Sequence, residues 1–174
     1  MIKLEHILKK GEMWDEPNRT ILNTIDQKHF VETNNVLFHG AEVLDIGCGM
    51  ASLKSYISPL CRRYLGIDNG LMENFADILA DYEQLPFKRE SFDTVLSLQM
   101  FPKNIEGIAD VLQPHGYLVH QSTSFFQRQN HVRERASAYF AFRYSVEYNI
   151  NVLNRKDEII DSIRNVFLVW QKKG

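Results

Sequence analysis

The chain has 174 residues, 44% hydrophobic and 24% charged; at about 150 residues per domain this is one domain with a short extension, able to bury a core without disulfides or metal. Formal net charge is −2, from 20 Lys and Arg against 22 Asp and Glu, a balance that disfavours a dedicated nucleic-acid binder. Cys48 and Cys61 are too few for a disulfide framework and fit a reducing cytoplasm, no apolar run approaches the roughly 20 residues of a membrane span, and the start (Met1, Ile2, Lys3, Leu4, Glu5, His6) lacks the apolar core of a secretory signal.

Residues 1–40 read as a small helical extension. Ile2, Leu4, Ile7 and Leu8 make a short helical stripe, Gly11 and Pro17 break the pattern after it, and Ile21, Leu22, Ile25 and Phe30 suggest a second helix starting near Asn18. From residue 41 short apolar runs alternate with helical stretches. Glu42–Ile46 is a strand that stops at Gly47; 51–57 is a helix ended before Pro59. Strands follow at 64–67 and 76–80, and Phe92–Leu98 is the clearest of all. A helix at 105–112 and a turn at Pro114-His115-Gly116 lead to a fifth strand at 117–121. Strands alternating with helices imply βαβ units and a parallel sheet. In the last third, 127–142 reads as a helix and 145–150 as a strand. Asn154, with Asp157 at the capping-box position, predicts a helix to about Ile163. A terminal strand at 166–170 follows a turn short enough to make it antiparallel to its neighbour. No repeat, low-complexity tract or linker interrupts the chain. It divides into the helical segment 1–40, a cofactor half 41–122 and an acceptor side with a C-terminal hairpin, 123–174.

The informative segment is Val43-Leu44-Asp45-Ile46-Gly47-Cys48-Gly49. A strand delivers an acid, then two glycines let the backbone turn tightly and approach a ligand closely. A nucleotide-like cofactor would sit beyond the carboxyl ends of the strands. A dinucleotide site wants Gly-x-Gly-x-x-Gly, with pyrophosphate on the helix N-terminus. Here the third glycine is replaced by Ser52, and the carboxylate of Asp45 would repel pyrophosphate while suiting a cofactor with a cationic amino-acid end. This disfavours a nicotinamide oxidoreductase. Asp68, 19 residues after Gly49, ends the second strand where an acid can accept from ribose hydroxyls in either class.

Three further stretches carry a family resemblance: Asp81-Tyr82-Glu83-Gln84-Leu85-Pro86-Phe87 after the third strand, Ser91-Phe92-Asp93-Thr94-Val95 opening the fourth, and Leu112-Gln113-Pro114-His115-Gly116-Tyr117-Leu118 leading into the fifth. In this order, with the glycine motif, residues 36–122 resemble the class I S-adenosylmethionine-dependent methyltransferases of the methyltransferase type 11 domain family. The resemblance implies an α/β, Rossmann-like three-layer sandwich whose mostly parallel seven-stranded sheet has an antiparallel last strand. It implies S-adenosyl-L-methionine as cofactor. Asp45, Gly47, Cys48 and Gly49 would line its methionine end. Asp68 and Asn69 would hold the ribose, with Asp81, Tyr82 and Glu83 at the adenine. Leu98 and Gln99 would border the sulfonium and the acceptor, with Met100 beside them. Met13 and Trp14 are candidates for a lid over the cofactor, an aromatic ring packing on a sulfonium as on other cations. No metal site is expected.

The implied function is methyl transfer to a small-molecule or peptide acceptor. The alternative is a cofactor-binding but inactive methyltransferase-like partner or scaffold. Base-amino methyltransferases of nucleic acid carry Asp/Asn-Pro-Pro-aromatic after the fourth strand, where this chain has Gln99-Met100-Phe101-Pro102. No catalytic base stands out. His39, His115 and His120 are read as surface or satisfied histidines, and Cys48 as a small filler without a base beside it. Arg128, Arg133, Arg135 and Arg143 form a basic stretch that is read as a solvated helix face. If 76–80 is a strand, the crossover after Asp68 has only residues 69–75, against roughly a dozen or more for an ordinary one. That leaves a sheet edge for a protein partner or a second copy to cover, in a protein expected to be cytoplasmic and free of membrane.

Overall fold

The computed structural model describes residues 3–9, 26–70, 75–98, 103–123, 129–153 and 159–174. The strands are β1 (Lys3–Lys9), β2 (Glu42–Ile46), β3 (Arg63–Asp68), β4 (Ile78–Leu79), β5 (Phe92–Leu98), β6 (Leu112–Thr123), β7 (Phe140–Leu153) and β8 (Ile159–Lys172). The helices are α1 (26–33), α2 (Lys54–Ile57), α3 (Ile105–Val111) and α4 (Gln129–Tyr139), with a 3-10 turn at Asn35–Leu37.

All strands join one sheet in the order β1-β7-β8-β6-β5-β2-β3-β4. Neighbouring pairs are parallel, except that β8 runs antiparallel to both β6 and β7. Chain order reverses at β2, where one crossover leads outward to β3 and the sheet also continues to β5. Such a switch point opens a crevice at the carboxyl ends of the strands.

The sequence explains the two faces. Central parallel strands are apolar on both sides because helices cover both. On one face Val43, Leu96, Val119, Phe167 and Val169 pack with Phe30 and Val31 of α1 and with Leu53 and Ile57 around α2. On the other, Leu44, Ile46, Val95, Leu118 and Leu168 pack with Ile105, Ile108 and Val111 of α3 and Ala136 of α4. The result is the expected three-layer α/β sandwich with a single reversed strand.

Four expectations need correction. Among the described residues β2–β8 are the seven expected strands, and β1 joins them as an eighth where a helical stripe was expected; β1 pairs in parallel with β7 from Lys3↔Glu147 to Lys9↔Leu153. A seven-residue run cannot separate the two periods, and the ladder offered by β7 decides. Residues 159–163 are strand rather than helix, because β8 pairs with β7 back to Ile159↔Leu153; the capping signal at Asn154 and Asp157 is local and lies outside the described residues. The helix expected over 51–57 shrinks to Lys54–Ile57, after Ala51 takes a positive φ of 49°. The third strand shrinks to Ile78–Leu79, an outer strand with both side chains exposed.

Candidate functional site

The glycine turn is built on the end of β3. The backbone N–H groups of Gly47 and Cys48 both donate to the Ile67 carbonyl, at 2.9 and 3.0 Å. That fold requires φ of 67° at Gly47 and 52° at Gly49, a region that L side chains rarely adopt. Among the described residues nothing lies within 4 Å of a Cβ built on Gly49, so the turn presents bare backbone there. The Gly49 N–H donates to Asp68 Oδ2 at 2.9 Å, and Asn69 N–H donates to Asp68 Oδ1 at 2.8 Å. Asp68 is half-buried and ties the turn to the end of β3. Each carboxylate oxygen retains lone-pair capacity for hydroxyl donors.

Asp45 lies one strand inward on the same face. It is 4% exposed, and Tyr64 Oη donates to its Oδ2 at 2.5 Å. Burial pushes its carboxyl up to about 7; the Tyr64 hydrogen bond opposes that rise and the Asp68 charge adds to it. Tyr64 is raised well above its ordinary value, by burial and by Asp45, so it stays a donor. The pair therefore holds a carboxyl poised near neutrality, ready to ionise against an incoming cation.

Cys48 packs against Gly66, with its Sγ 2.9 Å from where a Gly66 Cβ would stand. Burial, then the charges of Asp45, Asp68 and Asp77, push its thiol up to about 12. A thiol so held is no nucleophile.

The Asp81 loop follows β4. Ala80 N–H donates to the Asp68 carbonyl at 3.0 Å. Asp81 Oδ1 accepts from Glu83 N–H at 2.8 Å, an Asx turn. Tyr82 packs against the core. Glu83 is held twice, by Lys103 Nζ at 2.8 Å and, at its carbonyl, by Asn104 Nδ2 at 2.8 Å. The ion pair raises the Lys103 ammonium. Leu98, half-buried, ends β5.

The structure thus gathers Asp45, Gly47, Cys48, Gly49, Asp68, Asn69, Asp81, Tyr82, Glu83 and Leu98 at the carboxyl ends of β2, β3, β4 and β5. Gln99, Met13, Trp14 and Met100 lie outside the described residues.

Three contributors escaped the sequence reading. Tyr64 orders Asp45. Asp77 accepts from Gly66 N–H at 2.9 Å and pairs with Lys54. Burial would raise the Asp77 carboxyl, but these two partners outweigh it and hold it below its ordinary value. Asn104 caps α3 by accepting from Gly107 N–H at 2.8 Å while its amide holds Glu83. The two-residue spacing of Tyr64, Gly66 and Asp68 carried a signal, but only the register Val43↔Tyr64 and Asp45↔Gly66 shows that all three share the Asp45 face.

The other expected surfaces lie elsewhere. His120 is buried on the opposite face from Asp45, its Nδ1 3.0 Å from the Ser97 carbonyl, and burial lowers it to about 4. His39 and His115 line a cleft of about 360 Å3 with Arg62, Asp93 and Tyr117, at the amino ends of β2, β5 and β6. It shares no residue with the carboxyl-end site. Arg135 donates to the Lys103 carbonyl at 2.6 Å and Arg143 to Gln171 at 2.9 Å, on separate elements. Arg128 lies outside the described residues.

Residues 44–120 match the family model described as a methyltransferase domain. Over this stretch the chain is similar to that family. The chain is also similar to curated proteins. Phthiotriol/phenolphthiotriol dimycocerosates methyltransferase of Mycobacterium leprae is 27% identical over 128 residues, covering 63% of this chain and 46% of the relative. Its counterpart 1 from Mycobacterium ulcerans is 29% identical over 128 residues, with the same coverage of 63% and 46%. The chain thus spans about half the length of the curated relatives it matches. Among solved structures, a SAM-dependent methyltransferase from Aquifex aeolicus superposes with a TM-score of 0.62 at 18% identity, over 89% of this chain and 94% of that one. A SAM-dependent methyltransferase from Methanosarcina mazei gives 0.58 at 16% identity, over 82% and 97%. The cyclase SpnF gives 0.65 at 14% identity, over 97% and 87%. These likenesses establish the fold, and the cyclase among them shows that the fold alone does not fix the chemistry.

Proposed function

We propose that the chain binds S-adenosyl-L-methionine and transfers its methyl group to a small-molecule or peptide acceptor. The observation that carries this reading is the pairing of an open glycine turn with two carboxylates on one sheet face: Asp45, buried beside Tyr64, and Asp68, tied to the Gly49 amide. A buried acid without a cationic partner among the described residues suits an ammonium group better than a pyrophosphate. Asp45 and the Gly47-Cys48-Gly49 turn would hold the methionine end. Asp68 and Asn69 would take the ribose hydroxyls, and Asp81, Tyr82 and Glu83 would frame the adenine. Leu98 and Gln99 would border the sulfonium. The cofactor supplies an electrophilic methyl group when bound. The residues around it need mainly to place the acceptor in line with that methyl.

The similarity to phthiotriol dimycocerosates methyltransferases of mycobacteria supports a methyl-transfer reading, and the triol in their name favours a hydroxyl-bearing acceptor. Calorimetric titration with S-adenosylhomocysteine tests the reading: micromolar binding is expected, and no heat at millimolar ligand overturns it.

A second reading, a cofactor-binding but inactive scaffold, is favoured by one observation. Phe75 and Leu79 stand 50% and 55% exposed at the β4 edge, an apolar margin beside the adenine loop. Cofactor binding with a co-purifying protein, and no transfer of labelled methyl to extract components, would favour it. Among the described residues no helix is long and apolar enough to cross a membrane.

A further inference from the structure

Gln121 lies near the end of β6, in register with Leu98 of β5 and Phe167 of β8. It is 1% exposed. Its Oε1 accepts from Gln27 Nε2 of α1 at 2.7 Å, whereas its own Nε2 is buried without a hydrogen-bond partner among the described residues. An unmade buried donor destabilises the folded state, and such groups are rare enough in native proteins to require a reason. No described neighbour supplies one. The residues beside it on this face are Leu98, Val119 and Phe167, all apolar.

The register gives the reason a place. Asp45 is level with Leu96 on β5, and Leu98, two residues further along the same face, is level with Gln121. Asp45, Leu98 and Gln121 therefore share one face, and Gln121 stands two strands from Asp45, towards the carboxyl ends. In the proposed binding mode, the cofactor spreads from the end of β2 over β3 to the Asp81 loop beyond β4. In the order β6-β5-β2-β3-β4, the ends of β5 and β6 are then the flank left for the acceptor.

We propose that Gln121 is a specificity-determining residue of the acceptor site: its Nε2–H donates to an oxygen of the acceptor, selecting hydroxyl- or phenol-bearing molecules, and Gln27 fixes the amide in that orientation. The assignment rests on the cofactor reading for its location and on the orphaned amide for its chemistry. A protonated amine offers no lone pair to this donor, so ammonium-bearing acceptors are disfavoured.

The test pairs probes that differ in one hydroxyl: phenol against toluene, and hexan-1-ol against hexane. Binding is followed by NMR titration of the full chain saturated with S-adenosylhomocysteine. The wild type is expected to bind at least one hydroxyl probe about tenfold tighter than its apolar mate, the worth of one hydrogen bond. The double variant Gln27→Leu/Gln121→Leu removes both amides together. It is expected to lose that discrimination, keep S-adenosylhomocysteine affinity within about twofold, and melt about 2–6 °C higher, because the orphaned donor is gone. Equal binding of hydroxyl and apolar probes by the wild type overturns the proposal. So does a double variant that melts lower while still discriminating, which assigns the pair a structural role. Absence of S-adenosylhomocysteine binding in the wild type strikes the cofactor reading instead and is read from a separate titration.

Discussion

Tyr64 donates its phenolic hydrogen to Asp45 across 2.5 Å in a buried site, and Asp68 stands close enough for its charge to be felt there. One hydrogen bond therefore acts against both burial and a like charge to keep Asp45 within reach of ionisation. In the proposed binding mode the pair is the pivot, because a neutral Asp45 offers a cationic ligand group far less than a carboxylate does.

Cofactor affinity should consequently rise with pH. With the Asp45 carboxyl at about 7, roughly a tenth of the protein is ionised at pH 6 and about nine tenths at pH 8, so S-adenosylhomocysteine should bind about tenfold tighter at the higher pH. Tyr64→Phe removes the interaction that lowers the carboxyl. Its binding curve should shift to higher pH, with affinity at pH 7 reduced about tenfold or more. Calorimetry across pH 5.5 to 8.5 checks this, and superimposable curves for the two proteins would contradict it.

The same group makes the ligand-free protein less stable as pH rises. Asp45 titrates near 3.8 when unfolded and at about 7 when folded, so between these values the folded state binds more protons. Its contribution is intact below about pH 4, is lost progressively up to about pH 7 and is level above. The loss is on the order of 3 kcal/mol at pH 7.5 relative to pH 4. Asp45→Asn should remove this slope. In urea melts at pH 5 and 7.5, the variant should be the more stable protein at the higher pH and bind cofactor poorly at both.

Asp68 has two jobs, holding the Gly49 and Asn69 amides and accepting from the proposed ribose. Asp68→Ala abolishes both. A loss of about 10–100-fold in S-adenosylhomocysteine affinity is expected, the range for hydrogen bonds to a charged group. Asp68→Asn keeps one oxygen acceptor and should fall between. Affinities within twofold of wild type for both variants would remove Asp68 from the site.

Gly66 is glycine because Cys48 sits above it. A Cβ there would lie 2.9 Å from Cys48 Sγ and 3.1 Å from its Cβ. Gly66→Ala should destabilise by about 1–2 kcal/mol through overpacking, lowering Tm by about 2–8 °C, and should displace the glycine turn. Adding Cys48→Gly opens the contact and should recover most of the cofactor affinity. A Gly66→Ala protein with wild-type Tm would show that the thiol simply rotates away.

Residues 41–122 were legible in the sequence because their signals are local. The turn at Gly47 and Gly49, the strand-ending Asp68 and the loop acid Asp81 each follow an apolar run that announces itself, and Phe92–Leu98 is a strand to the residue. What stayed hidden depends on register. Tyr64 reads as one more strand aromatic until β2 is laid beside β3. Gln121 reads as a polar residue at a strand end until Gln27, 94 residues away, is found against it. The misread ends share a cause. Lys3–Lys9 and 159–163 have weak local preferences, and β7, a 14-residue strand, imposes its ladder on both.

Asn104 offers a separation of stability from binding. Its Oδ1 caps α3 through Gly107 N–H, and its Nδ2 holds the Glu83 carbonyl beside the proposed adenine site. Asn104→Ala removes the cap and the tie. It should destabilise by about 1 kcal/mol, about 2–4 °C in Tm, and weaken S-adenosylhomocysteine binding. Asn104→Asp keeps the cap, and its charge suits a helix N-terminus, but a carboxylate cannot donate to a carbonyl. This variant should melt close to wild type while still binding less tightly, by about 3–10-fold, the worth of one neutral hydrogen bond. Equal affinities for Asn104→Asp and wild type would mean that the Asp81 loop holds its shape through its own Asx turn, and that the α3 cap contributes to folding alone.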